Sequence, residues 1–167
     1  MNLTSSPRLL LAAALLLATA LYWPGLGGPF VLDDFETFAR LQRWLAGQDS
    51  WRSAMFGHQA SLASRPVAMA SLMLSAALGG MDPFAFKLGN LLVHLLCGVL
   101  VWQVVRQATR HDAVLGERAD GIALAVAALW LLHPFNASTV LYAVQRMAQL
   151  GTLFALAAVW TYLSART

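Results

Sequence analysis

Long apolar segments alternate with shorter polar ones along the chain, and this alternation predicts helices that cross a membrane. A spanning helix needs about 20 apolar residues, because it rises about 1.5 Å per residue through a hydrocarbon core about 30 Å thick. The apolar runs 84–105 and 139–163 reach this length, whereas 9–23 and 66–80 have fifteen residues each and 121–132 has twelve. Because the distribution of arginine places 66–80, which Arg65-Pro66 opens, outside the membrane, we expect four membrane-spanning helices, within residues 1–23, 84–105, 121–135 and 136–167.

The first apolar segment has two interpretations. Residues 9–23 follow Arg8 and end on the interfacial aromatic pair Tyr22-Trp23, which favours an uncleaved signal anchor within residues 1–23. Ala18-Thr19-Ala20 also has the small-x-small pattern of a cleavage site, so a cleaved signal peptide is the alternative. Under both interpretations, the segment that follows is exported.

The distribution of arginine decides the expected topology. Short cytoplasmic loops are enriched in Lys and Arg, whereas long loops are translocated regardless of their charge. If residues 66–80 stay at the outer face as a juxtamembrane or re-entrant helix, the arginines outside the long loop all fall inside: Arg8, Arg106, Arg110, Arg118 and Arg166. We therefore expect cytoplasmic termini, a cytoplasmic loop at 106–120 and an extracytoplasmic loop at 24–83.

The expected extracytoplasmic loop contains the acidic pair Asp33-Asp34 and a helical pattern. Residues 34–46 carry apolar side chains at helical spacing, and Gly47 follows as a stop signal. This pattern predicts an amphipathic helix that lies on the outer membrane surface with its aromatic face toward the lipid. Asp33 is interpreted either as the N-cap of that helix, with Glu36 completing a capping box, or as a functional carboxylate.

Composition supports the membrane assignment and excludes several classes. Hydrophobic residues make up 59% of the 167 residues and charged residues 11%, against about 25% charged in an average soluble domain. A soluble globular enzyme of this size is excluded, because it buries too little surface to hide so much apolar side chain. The single cysteine, Cys97, excludes an internal disulfide and a cysteine-cluster metal site. No basic block indicates a nucleic-acid partner.

Polar side chains form a stripe on each of two predicted spans. Lys87, Asn90 and His94 are spaced i, i+3 and i+7. The last span carries a second polar face, formed by Tyr142, Gln145, Arg146 and Gln149. Polar groups within spans normally face the bundle interior, because each costs a few kcal/mol in lipid. Both stripes lie in the outer half of the expected topology, so we predict an outward-facing cavity roofed by the loop.

These polar residues also have structural interpretations. Asn90 and His94 fit simple hydrogen bonds between helices. Arg146 lies well inside a span, where its charge requires an anion, either a carboxylate or a phosphate. We expect an anion-binding role for Arg146, with Asp33 or Asp34 as the alternative partner.

Three motifs, in order along the chain, resemble one family. The first is Asp33-Asp34 after the first apolar segment, as in glycosyltransferases of the GT-C class that use lipid-phosphate sugars. The second runs from Ser64-Arg65-Pro66 through Gly79-Gly80-Met81-Asp82-Pro83-Phe84 to His94, and the third from His133-Pro134 through Tyr142 to Gln145-Arg146. The chain resembles the transmembrane and tetratricopeptide-repeat O-mannosyltransferase family and its bacterial relatives over about residues 22–163.

The resemblance implies a fold and a reaction. Members of this family have a larger helical bundle followed by repeats, so the chain resembles the N-terminal part of such an enzyme or a truncated paralogue. The expected fold is an all-α integral membrane protein, a partial GT-C bundle. The implied reaction transfers a sugar from a polyprenyl-phosphate carrier to Ser or Thr hydroxyls of exported proteins, on the extracytoplasmic side of a bacterial inner membrane. The implied partners are the lipid-linked donor, the exported acceptor and membrane lipid, without nucleic acid.

The resemblance also suggests roles for the motif residues. Asp33 or Asp34 is expected to act as the general base. Arg146, with Lys87 or Arg65, is expected to stabilise the leaving phosphate. The remaining expected substrate-binding residues are His94, Asn90, His133, Tyr142 and Gln145. The resemblance implies no defined cofactor. Two adjacent carboxylates could bind a divalent metal, so a metal cofactor is left open.

Two other functions compete with the transferase. The same bundle fits a non-catalytic membrane scaffold, assembly partner or small transporter subunit, and it also fits an inactive fragment of a longer enzyme. Substitution of Asp34 by Ala separates these functions, since a scaffold tolerates it beyond a modest capping loss and a transferase does not.

Overall fold

Helices make up the described part of the protein, and no strand occurs there. The computed structural model describes residues 6–56 and 65–166, so residues 1–5 of the expected anchor, His58 and motif residue Ser64 lie outside the described residues. The helices are α1 (Pro7–Tyr22), α2 (Asp34–Leu45), α3 (Trp51–Phe56), α4 (Pro66–Gly79), α5 (Pro83–Arg110), α6 (Ala119–Leu131), α7 (Asn136–Leu141) and α8 (Arg146–Ala165).

Three of the described segments are long and apolar enough to cross a membrane, which confirms the all-α membrane class. They are Pro7–Gly25, which joins α1 to a 3₁₀ turn, Pro83–Arg110, and Ala143–Ala165, which joins a 3₁₀ turn to α8. Helix α6 has 13 residues, which at 1.5 Å per residue gives about 20 Å, short of the hydrocarbon thickness. The fourth expected span at 121–135 and the topology built on it therefore stay predictions.

Helix α5 is the centre of the bundle and contacts α1, α4, α6 and α8. Small residues allow the close approach of its neighbours, as is usual between helices in membranes. Ala123 and Ala127 of α6 are fully buried, and so is Ala18 of α1. A Cβ atom added at Gly98 of α5 would collide with the side chain of Leu131, so this crossing depends on glycine.

Helix α2 packs part of its apolar face against the protein, so this part does not face lipid as expected. Its Phe38 and Leu41 are buried against Met69 and Leu72 of α4 and against Phe86 of α5. Phe38 and Leu41 thus pack on the helices beneath, whereas Phe35 and Leu45 of the same apolar face stay exposed. The predicted stop is confirmed, since α2 ends at Leu45 and Gly47 follows with a φ of 72°.

The turn between α4 and α5 explains the second motif in physical terms. Gly80 has a φ of 63°, and a Cβ at Gly79 would collide with Ala85. Asp82 then caps α5 by accepting a hydrogen bond from the Phe84 amide at 3.0 Å, with Pro83 in the first turn. The motif therefore encodes a tight helical hairpin.

The expected continuous span at 139–163 is interrupted near its start. Helix α7 ends at Leu141, and Tyr142 is extended, with φ −104° and ψ 110°. A 3₁₀ turn, Ala143–Gln145, then leads into α8. Most of the candidate functional residues meet at this interruption, residues 142–147, which we call the break segment.

Candidate functional site

Side chains from distant parts of the chain satisfy the backbone of the break segment. The Asn90 side-chain amide of α5 donates to the carbonyl oxygens of Tyr142 at 2.9 Å and Ala143 at 3.4 Å. The Val144 amide donates to Asp34 Oδ1 at 2.8 Å. Irregular backbone at membrane depth requires such partners, because lipid offers none. Asn90 and Asp34 thus stabilise the interruption by bonding to backbone groups that have no partner within a helix.

Asp34 is buried and connects the loop to the break segment by hydrogen bonds. Its side chain is fully buried, and its second oxygen, Oδ2, accepts a hydrogen bond from the Val31 amide at 3.2 Å. Both carboxylate oxygens therefore already accept backbone N–H groups. Asp34 joins the start of α2 to the entry of α8, over 110 residues of sequence.

Asp33 has the opposite environment, although it is the adjacent residue. Its side chain is exposed, and it makes no capping bond to α2, so the predicted capping box is wrong. Its backbone amide donates to the phenol oxygen of Tyr142 at 3.0 Å. Leu32, immediately before it, has a φ of 47°, a left-handed conformation that costs a leucine about 1 kcal/mol or more. This strained turn leaves Asp33 facing outward while Asp34 is buried.

The Tyr142 phenol is a neutral partner beside this exposed carboxylate. A tyrosine phenol has a pKa of about 10 in water, so the Tyr142 hydroxyl is protonated at neutral pH. The phenol oxygen accepts from the Asp33 amide and keeps its own proton for donation.

Arg146 is buried and donates to neutral groups of the chain instead of the expected carboxylate partner, while its expected contact with a phosphate stays a prediction. Its side chain is 3% exposed. Its Nε donates to Asn90 Oδ1 at 2.7 Å, and Nη1 donates to the Ser71 carbonyl at 3.1 Å and to Ser75 Oγ at 3.0 Å. Nη2 donates to the Phe86 carbonyl. Dipoles from α4 and α5 replace water around the guanidinium, so no carboxylate among the described residues pairs with it.

Lys87 is likewise turned inward. It is 3% exposed, and its ammonium donates to the carbonyl oxygens of Gly28 at 2.7 Å and Pro29 at 3.0 Å. A Cβ at Gly28 would lie 3.3 Å from that ammonium nitrogen. Lys87 therefore holds the chain that leaves α1 against the start of α5.

His94 forms an interhelical hydrogen bond, which confirms the structural interpretation for this residue. Its Nε2 lies 3.1 Å from the Leu131 carbonyl of α6, and its ring stacks on Trp130 at 4.6 Å. Because a carbonyl only accepts, Nε2 carries the proton. His94 and Gln145 line a cavity of about 230 Å³ between α5 and α8. His133 is exposed instead, where its Nδ1 accepts from the Phe135 amide at 3.3 Å.

Arg65 is the predicted cation that stays open to solvent. Its guanidinium is exposed, with Met147 Sδ at 3.4 Å as the hydrogen-bond partner that the structure gives it. It lies at a groove of about 220 Å³ between α4 and α8. The other lining residues are almost all apolar: Pro66, Val67, Ala68, Met147, Leu150, Gly151 and Phe154.

The break segment brings three predicted residues of the long loop to one place. Asp33 contacts Tyr142, Asp34 contacts Val144, and Arg65 contacts Met147. An exposed carboxylate and an exposed guanidinium thus border the same short stretch of backbone.

Sequence reasoning missed the residues that solvate Arg146. The Ser75 hydroxyl on the apolar helix α4 could have been indicated by its polarity, whereas Ser71 contributes its main-chain carbonyl, which no side chain signals. A Cβ at Gly89 would collide with the guanidinium, so this glycine completes the pocket around the charge.

The metal-binding capacity of the acidic pair is limited by the geometry. Within residues 6–56 and 65–166, no three His, Cys, Asp or Glu side chains cluster as a metal site. Both oxygens of Asp34 accept N–H groups, which leaves Asp33 as the open carboxylate of the pair.

The chain is similar to part of a known glycosyltransferase. Human protein O-mannosyl-transferase TMTC1 is 29% identical to it over 162 residues, which cover 90% of this chain. The chain spans only 18% of the length of that relative. No known family profile matches the chain, and no solved structure matches it significantly. The similarity supports a glycosyltransferase-like relationship.

Proposed function

We propose that this chain is the portion of a membrane glycosyltransferase that holds the general base and the carrier phosphate. The reaction is transfer of a sugar from a polyprenyl-phosphate carrier to a Ser or Thr hydroxyl of an exported protein. The observation that carries the proposal is the convergence of exposed Asp33 and exposed Arg65 on the break segment. The similarity to an O-mannosyl-transferase supports the reaction class.

Asp33, rather than Asp34, is the proposed base. A general base needs an accessible lone pair within hydrogen-bond reach of the acceptor hydroxyl. The Asp33 carboxylate is exposed, whereas both oxygens of Asp34 are occupied. The acceptor proton passes to Asp33, and the acceptor oxygen bonds to the anomeric carbon. The bond from that carbon to the phosphate oxygen breaks, and the carrier phosphate leaves with the electron pair.

Arg65, rather than Arg146 or Lys87, is the proposed phosphate ligand. Its exposed guanidinium can bind two phosphate oxygens at once. The adjoining groove offers apolar walls for the prenyl chain. Arg146 and Lys87 are each 3% exposed and donate to neutral acceptors already. We propose that they, with Asn90 and Asp34, build the site without touching substrate.

The whole enzyme, its acceptor and its location are part of the same proposal. Because the chain covers a small part of its relative, other segments of a longer protein are expected to complete the donor site. We place Asp33 on the extracytoplasmic side of a bacterial inner membrane, since Arg8 and Arg106 border a cavity at the opposite end of the bundle.

Paired substitutions of the acidic residues test the assignment of the base. In membranes containing the full-length protein, Asp33→Asn should lower sugar transfer from a polyprenyl-phosphate sugar to a Ser/Thr peptide by about 10²–10⁴-fold. Its thermal unfolding should be unchanged. Asp34→Asn should instead destabilise the fold by about 1–3 kcal/mol, because one backbone N–H then faces an amide N–H₂.

Asp49→Asn is the matched control for both variants. Asp49 belongs to the same loop and pairs at 3.0 Å with Arg43 on the surface, where an ion pair contributes little. Its activity and stability should stay at the wild-type level. Retention of full transfer activity by Asp33→Asn would exclude Asp33 as the base.

A non-catalytic scaffold is the second candidate. The observation that favours it is that Asp34, Lys87, Asn90 and Arg146 all have internal partners, as structural residues do. A scaffold predicts no transfer by the wild-type protein and unchanged partner assembly in Asp33→Asn. Measurable transfer that depends on Asp33 would exclude it.

A further inference from the structure

Another cavity, with charged side chains in its wall, lies at the end of the bundle away from Asp33. It has a volume of about 300 Å³ and is lined by Ser6, Pro7, Arg8, Trp102, Arg106 and Asp120. These residues belong to the start of α1, the end of α5 and the start of α6. Lys87 and Arg106 lie 19 positions apart on α5, so about 28 Å separates this cavity from the loop that Lys87 holds.

The cavity has a positive electrostatic character. Arg106 pairs with Asp120 Oδ1 and lies over the Trp102 ring, 5.4 Å from its centroid. Arg8 is exposed and makes no hydrogen bond or ion pair with any residue in the described part of the chain. Two guanidinium groups therefore face one carboxylate. The amino-terminal end of the 16-residue α1 adds its partial positive charge at the same place.

Trp102, one of the lining residues, has a donor group without a partner. The residue is 6% exposed, and its indole Nε1–H is buried without a hydrogen-bond partner. A buried donor normally has a partner, because leaving it unpaired costs free energy. Trp102 lines the cavity, so a small shift of its indole would bring this N–H group to an acceptor oxygen beside the two arginines.

We propose that this cavity binds the phosphate of an anionic membrane phospholipid. Two guanidinium groups and an indole N–H are donors suited to phosphate oxygens, and the amino terminus of α1 adds positive potential. The cavity lies at the ends of two helices of spanning length, where head groups of a bilayer lie. Leu9 and Leu10 of α1 are exposed, at 66% and 43%, and offer an apolar surface for the acyl chains. This proposal does not rest on the proposed transferase activity.

Native mass spectrometry of the detergent-solubilised protein tests the proposal with phosphatidylglycerol and phosphatidylcholine as probes. We expect phosphatidylglycerol to bind at least fivefold more tightly, because the extra positive charge of the cavity favours the lipid with net negative charge. Arg8→Gln and Trp102→Phe should each weaken its binding by about fivefold or more. The second variant keeps the aromatic ring and removes only the N–H donor.

Arg166→Gln is the matched control. Arg166 is an exposed arginine near the end of α8 that contacts Tyr162 and does not line the cavity. Its loss should change phosphatidylglycerol binding by less than twofold. A competition experiment adds sn-glycerol 3-phosphate. This compound should displace the lipid only weakly, because glycerol phosphate has no acyl chains.

Four outcomes would overturn the proposal. Equal binding of the two lipids would remove the anionic preference. Unchanged binding in Arg8→Gln and Trp102→Phe would place the lipid elsewhere. An equal loss in Arg166→Gln would indicate general surface charge. Displacement by glycerol phosphate at concentrations similar to the lipid would identify a soluble phosphate as the ligand.

Discussion

At the scale of single residues, buried polar side chains bond mainly to backbone groups of distant segments. Lys87 holds two carbonyl oxygens of the chain after α1, and Asp34 holds two amides at the entries of α2 and α8. Arg146 is solvated by acceptors of α4 and α5. Removing one partner leaves the other buried and unpaired, at a cost of about 1–3 kcal/mol. These residues therefore stabilise one arrangement of the loop over the helices.

Gly89→Ala tests the packing of the Arg146 guanidinium. The added methyl group would collide with that guanidinium, so we expect a loss of about 1–3 kcal/mol of stability, as for other overpacked interiors. The measurement is reversible unfolding in detergent followed by circular dichroism. Gly121→Ala in α6 is the control: nothing lies within 4 Å of its added Cβ, and alanine favours helix by up to about 1 kcal/mol. Equal stability of the two variants would contradict the close packing at Gly89.

At the scale of elements, side chains of other elements stabilise the non-helical break between α7 and α8. Without Asn90, the carbonyl oxygens of Tyr142 and Ala143 and the Nε of Arg146 would lose their partners. The interruption places the Tyr142 phenol against Asp33. A continuous helix would carry that phenol elsewhere, so the break decides where the acidic pair sits.

Asn90→Leu should loosen the break segment selectively. We expect amides at 142–147 to exchange hydrogen at least tenfold faster, because three hydrogen bonds to this segment are lost. Hydrogen-exchange mass spectrometry measures this, with α6 as the internal reference. Gln103→Leu, on the same helix, is the control and should leave exchange at 142–147 unchanged. Uniformly faster exchange along the whole chain would instead indicate global destabilisation.

At the scale of the whole molecule, α5 separates two regions with different chemistry. One end contacts the loop that carries the acidic pair, and the other borders the cavity with Arg8 and Arg106. Arginines are enriched on the cytoplasmic side of membrane proteins. The two ends are therefore expected to face opposite sides of the membrane.

Cysteine labelling of intact cells tests this orientation. In a Cys97→Ser background, Ala39→Cys of α2 and Phe135→Cys, both at exposed positions, should react with an impermeant maleimide. Ala113→Cys, also exposed, should react only after permeabilisation. Labelling of Ala113→Cys from outside would reverse the orientation or make residues 66–80 a true span.

Local signals in the sequence were sufficient for the class of fold and for most helix boundaries. The predicted span 84–105 lies within α5, and the predicted stop at Gly47 and the turn motif before α5 mark real helix ends. These features depend on hydrophobic runs, caps and glycine conformations over a few neighbouring residues. Such interactions join residues that are close in sequence, so the amino-acid sequence alone is enough to predict them.

The sequence by itself determined that the protein is an all-α membrane protein with an acidic pair and buried cations, and tertiary structure decided what each polar residue does. Asp33 and Asp34 are neighbours in sequence, yet one is exposed and the other fully buried. Arg146 takes acceptors that lie 56 to 75 positions away, which no local pattern shows. The physical reason is that a charge buried in an apolar bundle adopts whatever partners packing brings to it, and packing is fixed only when all the helices are together.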